Sequence, residues 1–363
     1  MKKKKIKYID WLLSVYHFFK PTLKKGVELN SDMQFQRIVI YSTTALGDLM
    51  FNTPAIAALK QRYPDADIVL VSSQKNSQLV DNSPWFSRVI YWDNKIRDIY
   101  PVIKELRDFK PQLTVILHSH MMYDLLCAVF SGTEYIIRDN YHFDSDSNRL
   151  LPWLNRYHTA YNGHLIQRKL DLIASLGCDS SAIEMQIPVA FERAVDDGVM
   201  KIGFQIGASE MKRCWPLQRF VELAQLLVRA YPQCQIIVLG GKKEALLEPQ
   251  FLSLLPSEIR PNIISMAGKT SLLGLLTVID SLDVLVTGDT GPLHLAIAIK
   301  TPTVSLYADA EPQYTGPYQD RDQHCILKIA ASDLDKPQPL SVLSAERVFQ
   351  EVTALLSQKS PVE

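Results

Sequence analysis

Four loop segments combine residue types that could hold an anion or move a proton. The first is Gly288-Asp289-Thr290-Gly291-Pro292-Leu293-His294, set between an apolar run and a helical pattern. A helix start offers free backbone N–H groups and the positive end of its dipole, and together these bind phosphate. Pro292 removes one donor, leaving the amides of Thr290, Gly291 and Leu293 and the Thr290 hydroxyl. Asp289 would repel a diphosphate, so it should orient the loop or meet a hydroxyl, and a nearby cation is required. Lys212, Arg213 or His294 could supply that charge. His294 alone reads equally as a satisfied helix residue.

The second segment, Ser42-Thr43-Thr44-Ala45-Leu46-Gly47-Asp48, follows an apolar strand pattern. Asp48 sits where a helix begins, and two readings stay open. It can cap the helix, or it can take a proton from an acceptor hydroxyl. The third, running from Gly207 to Pro216, carries Lys212 and Arg213 just before a proline suited to a first helical turn. The pair is either solvated or a phosphate contact; its position before a helix favours the second. The fourth, Gly240-Gly241-Lys242-Lys243-Glu244, brings a carboxylate to a strand end, where nucleotide-binding folds use an acid on ribose hydroxyls. Asp144-Ser145-Asp146 has the spacing of a metal-diphosphate motif but lies among turn formers, and a plain loop is the expectation. GxSxG, Walker, HExxH and GxGxxG patterns are absent, which removes the usual support for hydrolase, kinase and dinucleotide dehydrogenase readings.

The elements around these loops alternate. Apolar runs at 37–42, 68–72, 89–92 and 113–117 read as buried strands, with helices over 54–63, 97–109 and 164–176. Residues 140–161 are a polar, aromatic stretch expected as a long loop or short helices. Strands recur at 202–206, 235–239, 263–266, 284–287 and 303–306, with helices over 216–230, 243–255, 272–281, 293–299 and 340–356. Strands separated by helices imply parallel sheets. Ligands then bind beyond the carboxyl ends of the strands, in a cleft between two doubly wound domains. The junction is expected within 187–199. The divisions are a basic amphipathic extension (1–35), an α/β domain (36–190), a second α/β domain (200–340) and a C-terminal helix (341–363) that could return to the first domain.

At 363 residues, two domains are the default, and 47% hydrophobic residues fit a globular chain. Five scattered cysteines without a CxxC pair argue against a disulfide framework or structural zinc. Net charge is +0, yet residues 1–30 hold eight lysines against Asp10 and Glu28, leaving an acidic body that gives no footprint for nucleic acid. The apolar stretch 11–19 is short, carries His17 and lacks a small-x-small cleavage site, so secretion is not expected. Ile6, Trp11, Leu12, Val15 and Phe18 or Phe19 recur at helical spacing between lysines. Such a segment lies on anionic lipid, packs as a helix on the protein's own surface, or remains a solvated basic tail.

Taken together, RIVIYSTTALGDLMFNTPAIAALKQRYPDADI, GASEMKRCWPLQRFVELAQLL and TGDTGPLHLAIAIKTPTVSLYADAEPQYTGPY resemble, in order and separation, the heptosyltransferase family of bacterial lipopolysaccharide synthesis, glycosyltransferase family nine. The resemblance runs from Arg37 to about Leu356. It implies the GT-B fold and an inverting transfer that needs no metal or other cofactor. The first domain would hold the growing saccharide and the second a nucleotide sugar of the ADP-heptose kind. The catalytic carboxylate falls on Asp48, the phosphate-binding Asp-Thr-Gly on Asp289, Thr290 and Gly291, and Leu293 and His294 follow in register. The ribose acid falls on Glu244. The family's lysine two residues before the tryptophan is replaced: counting back from Trp215 gives Arg213, with Lys212 one further, so either could hold the phosphates. Thr43, Thr44, His118, His120 and Arg138 are the acceptor-side candidates, in a region where members differ. The basic extension is not part of the common pattern. The expected partners are the nucleotide sugar and a lipid-linked or core saccharide, with the enzyme cytoplasmic and touching the inner membrane face through residues 1–30. Two rivals remain: a nucleotide-sugar epimerase of the same architecture, and an inactive nucleotide-binding scaffold.

Overall fold

The computed structural model describes residues 2–119, 122–139, 145–158 and 161–359. It divides into two compact units, Met1–Val189 and Ala190–Glu363. The first unit runs α1 (Lys2–Phe19), β1 (Arg37–Ser42), α2 (Leu46–Arg62), β2 (Asp67–Ser72), α3 (Ser77–Val80), β3 (Arg88–Tyr91), α4 (Ile99–Phe109), β4 (Leu113–His118), α5 (Tyr123–Phe130), β5 (Tyr135–Asp139), β6 (Arg156–His158) and α6 (Leu165–Ile173). Its six strands pair in parallel in the order β3-β2-β1-β4-β5-β6. A parallel sheet is covered on both faces, so its central strands need no alternation. Ile38, Val39, Ile40 and Tyr41 of β1 are all fully buried.

The second unit repeats the plan: β7 (Lys201–Gln205), α7 (Leu217–Ala230), β8 (Gln235–Leu239), α8 (Glu248–Leu254), β9 (Ile263–Ser265), α9 (Leu272–Asp280), β10 (Val284–Gly288), α10 (Gly291–Ile299), β11 (Thr303–Tyr307), α11 (Pro312–Thr315), β12 (His324–Lys328) and α12 (Ala345–Lys359). Its order, β12-β11-β10-β7-β8-β9, is that of the first sheet with the numbers advanced. In each unit the order reverses at one pair of neighbours, β1/β4 and β7/β10. Loops leaving the carboxyl ends of such a pair lead to helices on opposite faces of the sheet, and ligand binds in the crevice at that point. Helix α12 buries Val348, Val352, Leu355 and Leu356 and packs on α7, β10 and β11, so its apolar face is accounted for within its own unit.

Several elements differ from the sequence expectation. The helix read over 54–63 is continuous with the helix start expected at Asp48: it begins at Leu46, and Pro54 lies inside it. Proline cannot donate to the carbonyl one turn back. Here the Thr53 hydroxyl donates to the Met50 carbonyl instead (2.8 Å), which lets the helix continue. The helix expected over 243–255 breaks into a 3-10 turn at Glu244–Leu246 followed by α8. Within 140–161, the described part forms a 3-10 stretch, Ser145–Trp153, and the short strand β6. Strands β5, β6 and β12 and helix α5 carried no clear pattern in the sequence. Each of these strands ends in charged or aromatic polar residues, or lies at a sheet edge.

Helix α1 packs on the first unit through one face. Ile6, Ile9 and Leu13 are buried in the core cluster, alongside α5 and the 3-10 stretch. Asp10 accepts from Arg149 Nε (2.7 Å) and Trp153 Nε1 (2.9 Å), and the Tyr16 hydroxyl donates to the Phe130 carbonyl (3.1 Å). No described helix is long and apolar enough to cross a membrane.

Candidate functional site

In the first unit, the loops after β1 and β4 meet at the reversal point. The Thr43 amide donates to the His118 carbonyl (3.0 Å), and the Thr43 hydroxyl donates to Ser119 Oγ (3.1 Å). Asn94 Nδ2 also donates to Ser119 Oγ, at 2.8 Å. Asp48 lies in the first turn of α2, and Ala45 N–H donates to its Oδ2 (3.2 Å). Its Oδ1 stands 3.4 Å from His118 Nδ1, with side-chain exposures of 27% for Asp48 and 17% for His118. One Asp48 oxygen therefore braces the helix start, while the other stands beside the His118 imidazole and is partly open to solvent.

The remaining acceptor-side candidates divide. Thr44 is buried, its carbonyl accepts from Asn76 Nδ2 (3.1 Å), and its hydroxyl has no hydrogen-bond partner among the described residues. Arg138 is buried on β5 with its Nε 3.3 Å from Asp124 Oδ2. Burial pushes the Asp124 carboxyl up despite that partner, and Ser119 bonds to it as well. Arg138 thus compensates a buried acid and reaches the β4 loop through Asp124 and Ser119. His120, and Asp144 of the Asp-Ser-Asp motif, lie outside the described residues.

In the second unit, the loops after β7 and β10 converge in the same way. Trp215 anchors the first loop: it is buried, stacks edge-on with Phe220 at 4.8 Å, and donates from Nε1 to the Leu343 carbonyl at 3.1 Å. The backbone of Arg213 lies directly on Gly288, where a Cβ would come within 2.5 Å of the Arg213 carbonyl oxygen. Only glycine at the end of β10 admits that approach. Arg213 Nη1 stands 3.8 Å from Asp289 Oδ2, and His294 Nε2 stands 3.6 Å from Asp289 Oδ1. The cation beside Asp289 is therefore Arg213, and the His294 imidazole lies against its other oxygen.

Lys212 points elsewhere, to Asp309 (2.5 Å) and Glu210 (3.2 Å). Asp309, which follows β11, also lies 3.7 Å from Arg213 Nε. Burial would raise the Asp309 carboxyl, but the Lys212 bond and the neighbouring Arg213 outweigh it and hold it below the usual carboxylate range. The bond to Asp309, then the one to Glu210, keeps Lys212 above its ordinary value. Asp309 was not singled out in the sequence. Its signal was its position two residues beyond a strand whose neighbour β10 already carried an anion loop.

Helix α10 begins at Gly291 with Thr290 as its extended cap. The amides of Thr290 and Gly291 have no hydrogen-bond partner among the described residues, and Pro292 has none to offer. The Leu293 amide, expected as a donor, is turned inward to the Thr290 carbonyl (3.1 Å). The Thr290 hydroxyl meets Thr287 Oγ1 at 3.0 Å. On the neighbouring side, Glu244 lies across two glycines, with Cβ positions at Gly207 and Gly240 falling 2.3 and 2.4 Å from its side chain. The Gly241 amide donates to its Oε2 (2.8 Å), fixing the carboxylate beyond β7 and β8.

The profile of glycosyltransferase family 9 (heptosyltransferase) matches residues 135–342, more than half of the chain. Lipopolysaccharide heptosyltransferase 3 of Escherichia coli strain K12 is 25% identical over 347 residues, covering 87% of this chain and 96% of that protein. Among solved structures, a glycosyl transferase of family 9 from Veillonella parvula matches with a TM-score of 0.77 at 22% identity, covering 91% of this chain and 100% of that one. An E. coli heptosyltransferase solved with ADP matches at 0.67 and 19% identity, covering 88% and 99%. Strand order, paired reversal points and sequence profile agree: the chain belongs to glycosyltransferase family 9, the heptosyltransferases, and is a glycosyltransferase of the GT-B fold.

Proposed function

We propose that the chain transfers heptose from an ADP-heptose-like donor to a lipopolysaccharide-core or related lipid-linked saccharide, with inversion and without a metal. It does so in the cytoplasm, at the inner face of the membrane, with residues 1–30 as the contact. The observation that carries this reading is the division of labour between two reversal points. One has a carboxylate with a free oxygen beside an imidazole, and the other has two open amides beside a cation. The E. coli relative solved with ADP supports a nucleoside diphosphate at the second.

In this mechanism Asp48 takes the proton of an acceptor hydroxyl through the oxygen not held by Ala45 N–H. His118 orients that oxygen. The acceptor oxygen attacks the anomeric carbon as the bond to the diphosphate breaks on the opposite face. The Thr290 and Gly291 amides and Arg213 take up the charge gathering on the leaving diphosphate. Glu244 accepts from ribose hydroxyls. Replacing Asp48 with Asn should lower kcat by about 10²–10⁴-fold with little change in donor affinity. Near-normal transfer by that variant, measured with the true acceptor, would remove Asp48 from this role.

A further inference from the structure

Helix α1 has a second face that the fold leaves uncovered. Ile6, Ile9, Leu13 and Tyr16 lie on the docked side. Tyr8, Trp11, Val15, Phe18 and Phe19 recur at helical spacing on the other, with exposures of 60%, 57%, 39%, 80% and 75%. Tyr8 and Trp11 stack at 5.9 Å, and Phe18 and Phe19 meet edge to face at 5.2 Å, with exposed Val15 between the two pairs on the same side of the helix. Single exposed apolar residues are ordinary, but a contiguous aromatic stripe on one helix marks an interaction surface.

The charges around the stripe have one sign. Lys4, Lys5, Lys7 and Lys20 are exposed beside it. Lys4 falls on the same helical line as Tyr8, Trp11 and Val15. The helix's own acid, Asp10, is turned to the docked side and already held by Arg149 and Trp153. Lys24 pairs with Glu134 at 2.7 Å, and Lys25 covers the Trp153 ring at 3.9 Å, so those two brace the extension rather than the stripe. Aromatic rings flanked by unopposed lysines suit the boundary between headgroup and acyl chain of an anionic bilayer. A protein partner would call for a shaped, mixed-charge surface.

We infer that α1 is a two-sided clamp: its Ile6–Ile9–Leu13 face is part of the first unit's core, and its Tyr8–Trp11–Val15–Phe18–Phe19 face inserts into an anionic lipid surface. The inference sharpens the membrane contact proposed above and names the face, the residues and the lipid charge. Lipid binding needs neither donor nor acceptor, so it can be measured apart from transfer.

The test is co-sedimentation of the full chain with vesicles of phosphatidylcholine alone and of phosphatidylcholine mixed with phosphatidylglycerol. The native chain should bind the mixed vesicles, lose affinity as salt rises, and bind the neutral ones weakly. A Trp11→Ser, Phe18→Ser, Phe19→Ser variant should lose at least ~10-fold in partition. A Lys4→Glu, Lys7→Glu variant should lose as much on anionic vesicles only, since each lysine near such a surface contributes about 5-fold. Both variants leave the docked face intact and should melt with the native chain. Equal binding by native chain and variants, or a dimer in sedimentation velocity that the aromatic variant disperses in place of lipid binding, overturns the inference. Transfer to a water-soluble acceptor is assayed in parallel. Loss of lipid binding with transfer intact in the variants supports both readings. Lipid binding without transfer in the native chain removes the proposed function and leaves the clamp standing.

Discussion

Arg213 and Lys212 are neighbours in sequence with different surroundings. Lys212 has two carboxylates within 3.2 Å, Asp309 and Glu210, and serves to hold the loop. Arg213 has none closer than 3.7 Å, lies over Gly288, and stands beside Asp289 and the open amides of Thr290 and Gly291. A guanidinium also offers forked geometry to a diphosphate. Arg213→Gln should therefore raise the Kd for ADP by roughly 10–100-fold, the range of a charge-assisted hydrogen bond. Lys212→Gln should raise it less. Calorimetric titration of ADP into both variants distinguishes them, and a larger loss at Lys212 would reverse the assignment.

At the scale of elements, helix α2 decides where Asp48 points. Starting it at Leu46 puts Asp48 in the first turn, and its continuation past Pro54 depends on the Thr53 hydroxyl, which donates to the Met50 carbonyl and accepts from the Gln186 amide (3.1 Å). Thr53→Val should destabilise the first unit by about 1–3 kcal/mol, because the buried Met50 carbonyl and the part-buried Gln186 amide both lose their partner. The check is thermal unfolding, and an unchanged melt would mean that Met50 and Gln186 find other partners. The sequence shows β1, β4, β7 and β10 plainly, since a strand covered on both faces is a continuous apolar run. It also shows the glycine-bearing loops that follow β1, β7 and β10. The passage of α2 through Pro54 was hidden because proline normally marks a helix start, and nothing local says that a preceding threonine will take over its missing bond. The two edge strands β6 and β12 are half-exposed and patternless. Asp309, Asn94 and Asp124 were not legible because each owes its place to a neighbouring strand rather than to its own segment.

For the molecule as a whole, stability is coupled to pH through an edge of the second sheet. His324 on β12 is buried, with Nδ1 3.0 Å from Thr303 Oγ1 on β11. Burial pushes its imidazole down to about 4, against the pull of Asp320 and Asp322. In the unfolded chain the ring takes its proton near its ordinary value of 6.5. Between those values the unfolded state binds more protons, so this contribution is intact above pH ~6.5 and is lost as pH falls towards 4. From neutral pH to pH ~5 the loss should be about 2 kcal/mol. Denaturant unfolding of the native chain and of His324→Gln at both pH values checks this: the variant should show a shallower slope. Identical slopes would assign the acid sensitivity to other groups.

The docking of α1 also orders events in time. The surfaces that cover Ile6, Ile9 and Leu13 belong to Tyr123–Phe130 and Ser145–Trp153. The ribosome makes these more than a hundred residues after the helix. At ~5–20 residues per second, the delay is roughly seven to thirty seconds. Until that interval ends the helix lacks at least one of its final neighbours. With the lipid contact inferred above, a bilayer close to the ribosome competes for it before its protein partner is complete, and delivery to the membrane can begin during synthesis.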